Sequence, residues 1–317
     1  MVAGRGRTIG WLIVVALVAL SACSAGGPLQ PPPGAPQTRA GTFVQAADGE
    51  PLATSEWIPD SPRGVLLGFH GYGDYGDLTF RRAAAYWSQQ GLAVIAVDQR
   101  GFGRNRSHGY WPGAEALIAD AVAVSKQVRA RFPDIPMTVI GHSMGGGVIA
   151  AAAADGLAAD RIVLAVPAIW GGSQLNPIHR AAAWLAAAVV PDRRFTGEGV
   201  VRIQASDNIE ALRELSRDRH YLSPPSAREM HGLVHLTDLA EAAAPNVRIP
   251  SLMLLGARDQ VAVNSAARTT FDLFPAERHV VEYPEGWHLV FRDLQAERVW
   301  RDVARWALEG EPPIADG

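Results

Sequence analysis

The chain of 317 residues has a single cysteine, Cys23, so it can form no disulfide within itself and offers no thiol cluster for zinc or iron–sulfur ligation. It also lacks any sustained basic run. With a formal charge of −3 there is no electrostatic case for a partner that presents a phosphate backbone, and no nucleic-acid partner is expected. Internal repeats are absent, and low-complexity sequence is confined to one stretch near the N-terminus. Long apolar runs are missing too: Trp11 to Leu20 is too brief for an ordinary membrane-spanning helix. What remains is a chain whose 48% hydrophobic content can bury a large core in one α/β domain with an insertion.

The short N-terminal run has its own logic. Arg5 and Arg7 precede it, and it ends in Leu20-Ser21-Ala22-Cys23, so residues 1–22 read as a signal peptide. The last four residues resemble the bacterial lipobox, in which the cysteine is lipidated and becomes the mature N-terminus. The sole cysteine stands at the one position that motif requires. Ser24 to Thr38 is rich in proline and glycine and nearly free of large apolar residues, so residues 23–40 form an extended tether. The expectation is a lipid-anchored envelope protein whose folded part starts near Gly41. Serine after the cysteine, instead of aspartate, points by the same resemblance to the outer membrane where the source has one.

Thr42 to Ala46 and Leu52 to Trp57 flank Asp48-Gly49, a hairpin turn signal. Continuous apolar runs follow at Val65 to His70, Leu92 to Val97 and Met137 to Ile140, as expected for strands buried on both faces. Helix-like stretches, Leu78 to Gln90 and Gly113 to Phe132, lie between them, and Arg161 to Val166, Ser251 to Leu255 and His279 to Tyr283 continue the strand series. About eight strands alternating with helices imply a mostly parallel sheet with helices on both faces. Residues 168–244 break the pattern with helix-like pieces at Ile178 to Val190, Asn208 to Arg217 and Ala227 to Ala243. They read as an inserted helical cap, with Trp170, Trp184, Tyr221, Leu233 and Leu236 available to face a cleft. The main domain is expected over residues 41–310, with a tail at 311–317.

The chemistry-bearing stretch is Val139 to Gly147, an apolar run that ends in Gly141-His142-Ser143-Met144-Gly145. It reads as strand, sharp turn and helix, with Ser143 lifted out of the sheet. A serine nucleophile needs a base, the base needs an acid to orient it, and the oxyanion needs preorganised donors. Asp259, just past the strand at Ser251 to Leu255, supplies the acid, and His288, just past His279 to Tyr283, supplies the base. The order Ser143, Asp259, His288 is that of an α/β-hydrolase sheet. The backbone N–H groups of Tyr72, in the turn His70-Gly71-Tyr72-Gly73, and of Met144 are the expected oxyanion donors. His70 itself reads as a buried structural residue, and His142 as pointing away from the nucleophile. His231 and His235 can share a helix face but have no third ligand, so no metal or other cofactor is expected.

His70 to Gly73, Asp98 to Gly103, Gly141 to Gly146, Gly256 to Asp259 and Gly286 to His288 together resemble the monoacylglycerol lipase and lysophospholipase branch of the α/β-hydrolases. The resemblance runs from about Gly41 to Ala307. It implies an α/β-hydrolase fold with Ser143, Asp259 and His288 as the triad, Tyr72 and Met144 as oxyanion donors, and a cap that forms the acyl pocket. The implied activity is hydrolysis of carboxylic esters of lipid-like substrates, through an acyl-enzyme and without a cofactor. The cap carries no family signature. One rival is a proline-specific peptidase of the same fold, for which Glu210, Glu214 and Glu229 could bind a substrate amine; another is an inactive surface binding protein.

Overall fold

The computed structural model describes residues 42–171, 177–195 and 203–313. The expected signal peptide, Cys23 and the tether lie outside them. Eight strands form one sheet: β1 (Thr42–Gln45), β2 (Pro51–Trp57), β3 (Gly64–Phe69), β4 (Leu92–Val97), β5 (Met137–His142), β6 (Arg161–Ala165), β7 (Ser251–Gly256) and β8 (Arg278–Tyr283). Their order is β1-β2-β4-β3-β5-β6-β7-β8. The first two strands pair antiparallel, β2 pairs antiparallel to β4, and every pair from β4 to β8 is parallel. The expected strand count and hairpin are thus present, with ends shifted by a residue or two.

Parallel strands need crossovers, and the sequence supplies them as helices α1 (Gly76–Gln89), α2 (Ala114–Arg131), α3 (Met144–Ala154) and α7 (Asn264–Phe271), while α8 (Ala296–Glu309) follows the last strand. Because strand side chains alternate, each buried strand feeds two cores. Val65, Leu67 and Phe69 of β3 face Val124, Val148 and Phe271 from α2, α3 and α7. Leu66 faces the opposite core, built with Phe80 and Trp87 of α1 and Val303 and Trp306 of α8. Each fully buried side chain of this size contributes roughly 1.5–3 kcal/mol, so the central strands are apolar at most positions, Thr138 and His142 of β5 being buried exceptions. That is what makes them legible. The sequence reading names neither α7 nor α8, although α8 buries Val299, Val303, Trp306 and Ala307 at helical spacing and stops at Gly310 in a left-handed conformation.

Among the described residues between β6 and β7 lie the α-helices α4 (Pro177–Val189), α5 (Ile209–Arg217) and α6 (Ala227–Ala243). Ser226 and Glu229 close a capping box at the start of α6, which fixes where that helix begins. Of the residues available to face a cleft, Leu236 is turned into the core. It shares that core with Met144 and Val148, and Leu233 packs against it, because α6 lies along α3. Among the described residues no helix is long and apolar enough to cross a membrane.

Candidate active site

Strands β3, β5, β7 and β8 are mutually parallel, so their carboxyl ends open on one edge of the sheet. Each carries one part of the site. The chain turns from β5 into α3 at Ser143, whose φ of 51° and ψ of −114° lie outside the regions that a serine adopts freely. A strained residue of this kind costs about 1–3 kcal/mol. Surrounding bonds hold it there: the Ser143 N–H donates to the Ala165 carbonyl at 2.9 Å, and the Ser143 carbonyl accepts from Gly146 and Ala168, each at 2.9 Å. The turn tolerates no side chains beside it. A Cβ at Gly141 would sit 2.3 Å from the Gly145 carbonyl oxygen, and one at Gly145 would sit 2.3 Å from that of Phe69.

The three residues expected to act together do meet. Ser143 Oγ is 3.0 Å from His288 Nε2, and His288 Nδ1 is 2.8 Å from Asp259 Oδ2. A carboxylate only accepts, so Nδ1 carries the proton and Nε2 presents its lone pair to the serine hydroxyl. The Asp259 side chain is wholly buried and His288 nearly so. Burial by itself would raise the Asp259 carboxyl. The His288 N–H, with the amides of Ala262 and Val261 at 3.0 and 2.7 Å, outweighs it and leaves the group below its ordinary value. Asp259 is therefore ionised and aimed, able to stabilise an imidazolium on His288.

On the other side of Ser143 runs the turn after β3. A Cβ at Gly71 would come within 3.3 Å of Ser143 Cβ, so this turn passes against the serine. His70 fixes its orientation. His70 Nε2 accepts the Gln99 N–H at 2.9 Å, which leaves Nδ1–H to donate to the Gly71 carbonyl at 2.7 Å. The Gly71 carbonyl and the Tyr72 N–H belong to one trans peptide and point opposite ways. Holding the first aims the second. Among the described residues the N–H groups of Tyr72 and Met144 donate to no protein acceptor, and Met144 stands at the positive end of α3. They are available to an oxyanion. The Asp98 to Gly103 loop is structural, its buried Asp98 accepting from Gly76 and from Arg104.

His142 has a part that the sequence reading missed. Its ring lies behind His288, with centroids 5.3 Å apart, and Nε2–H donates to the His288 carbonyl at 2.9 Å. Burial, reinforced by the neighbouring His288, pushes it from 6.5 down to about 3. The sign follows from proton counting: between pH 6.5 and about 3 the unfolded chain binds a proton here that the folded chain refuses, so stability is complete above 6.5 and falls with pH through that window. His142→Gln keeps a donor near the Nε2 position and removes the titration. Its melting temperature is expected to fall less steeply than that of the wild type between pH 6.5 and 4, and parallel curves would contradict the assignment.

Two further histidines are paired elsewhere. His235 pairs with Glu115 at 2.6 Å, and His279 pairs with Glu277 at 2.8 Å. Of the carboxylates weighed for binding an amine, Glu214 pairs with Arg81 and Arg82, Glu210 with Arg213, and Glu229 is spent on capping α6 and on Arg194.

An eight-stranded, mostly parallel sheet with a serine on the strained turn after its middle strand defines an α/β-hydrolase. More narrowly, the family model described as serine aminopeptidase, S33 (Hydrolase_4) matches residues 60–295, and the chain belongs to that family. It is 26% identical over 279 residues to the monoacylglycerol lipase of Mycolicibacterium smegmatis, covering 86% of this chain and 98% of that one. It is 23% identical to the monoglyceride lipase of Rattus norvegicus, over 82% of this chain and 88% of the relative. Among solved structures, the monoacylglycerol lipase of Paleococcus ferrophilus superposes with a TM-score of 0.67 at 18% identity, covering 82% of this chain and 99% of that one. These likenesses carry the fold.

Proposed function

We propose that the protein is a serine hydrolase that cleaves carboxylic esters of lipid-like substrates, monoacylglycerols or lysophospholipids, through an acyl-enzyme. The observation that carries this reading is the line of hydrogen bonds from Ser143 through His288 to Asp259, beside two amides that donate to no acceptor among the described residues. His288 takes the hydroxyl proton as Ser143 Oγ attacks the ester carbonyl, and Asp259 stabilises the imidazolium. The carbonyl electron pair moves onto oxygen, where the N–H groups of Tyr72 and Met144 receive it. Collapse of the tetrahedral intermediate expels the alcohol, which takes its proton from His288. Water, deprotonated by the same imidazole, then releases the acid and restores Ser143.

The lipid-like substrate class is supported by what the relatives from M. smegmatis and R. norvegicus are named for, and by the cap helix α4, which exposes Trp184, Leu185 and Val189. A peptidase would need a free carboxylate near the site for the substrate amine. Glu210, Glu214 and Glu229 are each already paired with an arginine. A panel of p-nitrophenyl esters, monoacylglycerols, lysophospholipids and aminoacyl-proline amides decides between the readings. Turnover of the lipid esters and none of the amides is expected; turnover of the amides alone would replace the ester reading with the peptidase.

We further propose that residues 168–244 serve as a cap over the site, and that Cys23 is lipidated and holds the protein at a membrane. Several acyl chains on one cysteine give stable anchoring where one would not. In a lipoprotein-competent host, wild-type protein is expected in the membrane fraction and labelled by a fatty-acid probe, and Cys23→Ala in neither. Unlabelled, soluble wild-type protein would remove the anchor without touching the hydrolase.

A further inference from the structure

Helix α5 has nine residues and, among the described residues, no hydrogen bond joins it to Ser143, Asp259 or His288, yet both of its ends are bonded to the loops that carry them. At its start, the Ala205 carbonyl accepts the Leu289 N–H at 2.9 Å, one residue past His288. Ser206 Oγ donates to Asp293 Oδ1 at 2.6 Å, and Asp293 Oδ2 accepts the N–H of Trp287 at 2.7 Å, one residue before His288. The helix-capping Asn208 also donates from Nδ2 to the Arg292 carbonyl at 2.7 Å. The backbone on both sides of the imidazole is therefore sewn to the entrance of α5.

The exit of α5 holds the other loop. Tyr75 OH donates to Asp218 Oδ2 at 2.8 Å, and the Leu222 N–H donates to the Gly73 carbonyl at 2.8 Å. The chains pass so closely that a Cβ at Gly73 would lie 2.2 Å from the Leu222 carbonyl oxygen, and φ there is +77°, so only glycine fits. Gly73 and Tyr75 flank Asp74, whose buried carboxylate meets the buried Arg292 guanidinium at 2.6 Å and joins the two loops directly. One ion pair leaves the loops free to pivot about it; ties on either side remove that freedom. The middle of α5 is held against α1 by Glu214, with Arg81 at 3.2 Å and Arg82 at 3.4 Å.

We propose that residues 205–222 form a brace that sets the His288 loop and the Tyr72 loop relative to each other, with Asp293 as a positioning residue for His288 and Asp218 as one for the loop of Tyr72. The proposal rests on the reading of Ser143 and His288 as reacting groups. Its consequence is that the inserted helices do more than cover the site: a change in their seating moves the base and the oxyanion donors together. The ties are long-range in sequence, and cutting either one leaves its carboxylate a backbone donor, the His220 N–H on Asp218 and the Trp287 N–H on Asp293, so single-group deletions are available as tests.

Ser206→Ala cuts the brace at the His288 end, and Tyr75→Phe cuts it at the other. Each is expected to lower kcat on p-nitrophenyl butyrate about tenfold with KM within about threefold, because reacting groups displaced by a fraction of an ångström lose rate before they lose binding. Asp293→Ala should behave like Ser206→Ala, whereas Asp293→Asn, whose amide can keep both contacts, should restore most of the rate. Ser206 and Tyr75 do not touch, so independent effects would multiply. A brace cut at either end is already slack, and the double variant should lose less than the product of the two single losses. Amide hydrogen exchange reads the same coupling without chemistry. In Ser206→Ala, exchange should rise at residues 71–76 as well as at 286–294. A full multiplicative loss, or exchange that rises only at 286–294, overturns the brace. Wild-type protein without esterase turnover would instead sink the hydrolase reading, and the exchange result would still decide the brace.

Discussion

Replacing Ser143 with alanine is expected to lower kcat by about 10⁴ to 10⁶, the usual consequence of removing the nucleophile from such a triad. The fold should survive. Ser143 is only half-buried, and its side chain makes one hydrogen bond, to His288 at 3.0 Å, worth about 1 kcal/mol net. In a domain of this size that is a shift of roughly 2–4 °C in the melting midpoint. The strained turn is held by backbone bonds from Ala165, Gly146 and Ala168, which alanine leaves in place. Turnover above about a tenth of wild type in a folded Ser143→Ala protein would mean that another group attacks the substrate.

Asp259→Asn should cost about 10⁴ in kcat while KM changes little. The reason is the proton on His288. Asp259 Oδ2 accepts from Nδ1, which leaves Nε2 free to accept the serine hydroxyl. An asparagine amide turned toward Nδ1 donates instead, so Nδ1 becomes the acceptor and Nε2–H faces Ser143. The imidazole is then in place but cannot act as a base. Asp238, on α6, is paired with Arg180 of α4 at 2.9 Å. Asp238→Asn should leave kcat within about twofold, for surface ion pairs contribute little. The reverse pattern, with Asp238→Asn inactive and Asp259→Asn active, would move the acid.

The sequence made the sheet legible because its strands are buried on both faces: Leu92 to Val97 could be read to the residue, since any polar position there would sit in one of two cores. Helix α6 was equally plain, bounded by Ser226 and running to Ala243. The last helix, α8, also carries a local signal, with Val299, Val303, Trp306 and Ala307 buried at helical spacing. Other features had no local signal. That Leu236 turns into the core depends on where α6 lies relative to α3, which no spacing within α6 encodes. The position of His142, just before Ser143, implies only that it points away from the nucleophile. Its bond to the His288 carbonyl joins residues 146 apart in the chain and appears only once β5 and β8 are placed. The ties from 205–222 to both loops are of the same kind. The candidate triad could be named beforehand because each member follows a strand end; the residues that hold it could not.

The measurement that bears most directly on the account is the site of modification by a fluorophosphonate, which reacts with an activated serine and spares ordinary ones. The account predicts one adduct per chain, found by peptide mass on the fragment containing Ser143, and its loss in Ser143→Ala and His288→Ala proteins. A folded wild-type protein that stays unmodified, or one whose adduct lies on any other serine, would contradict it.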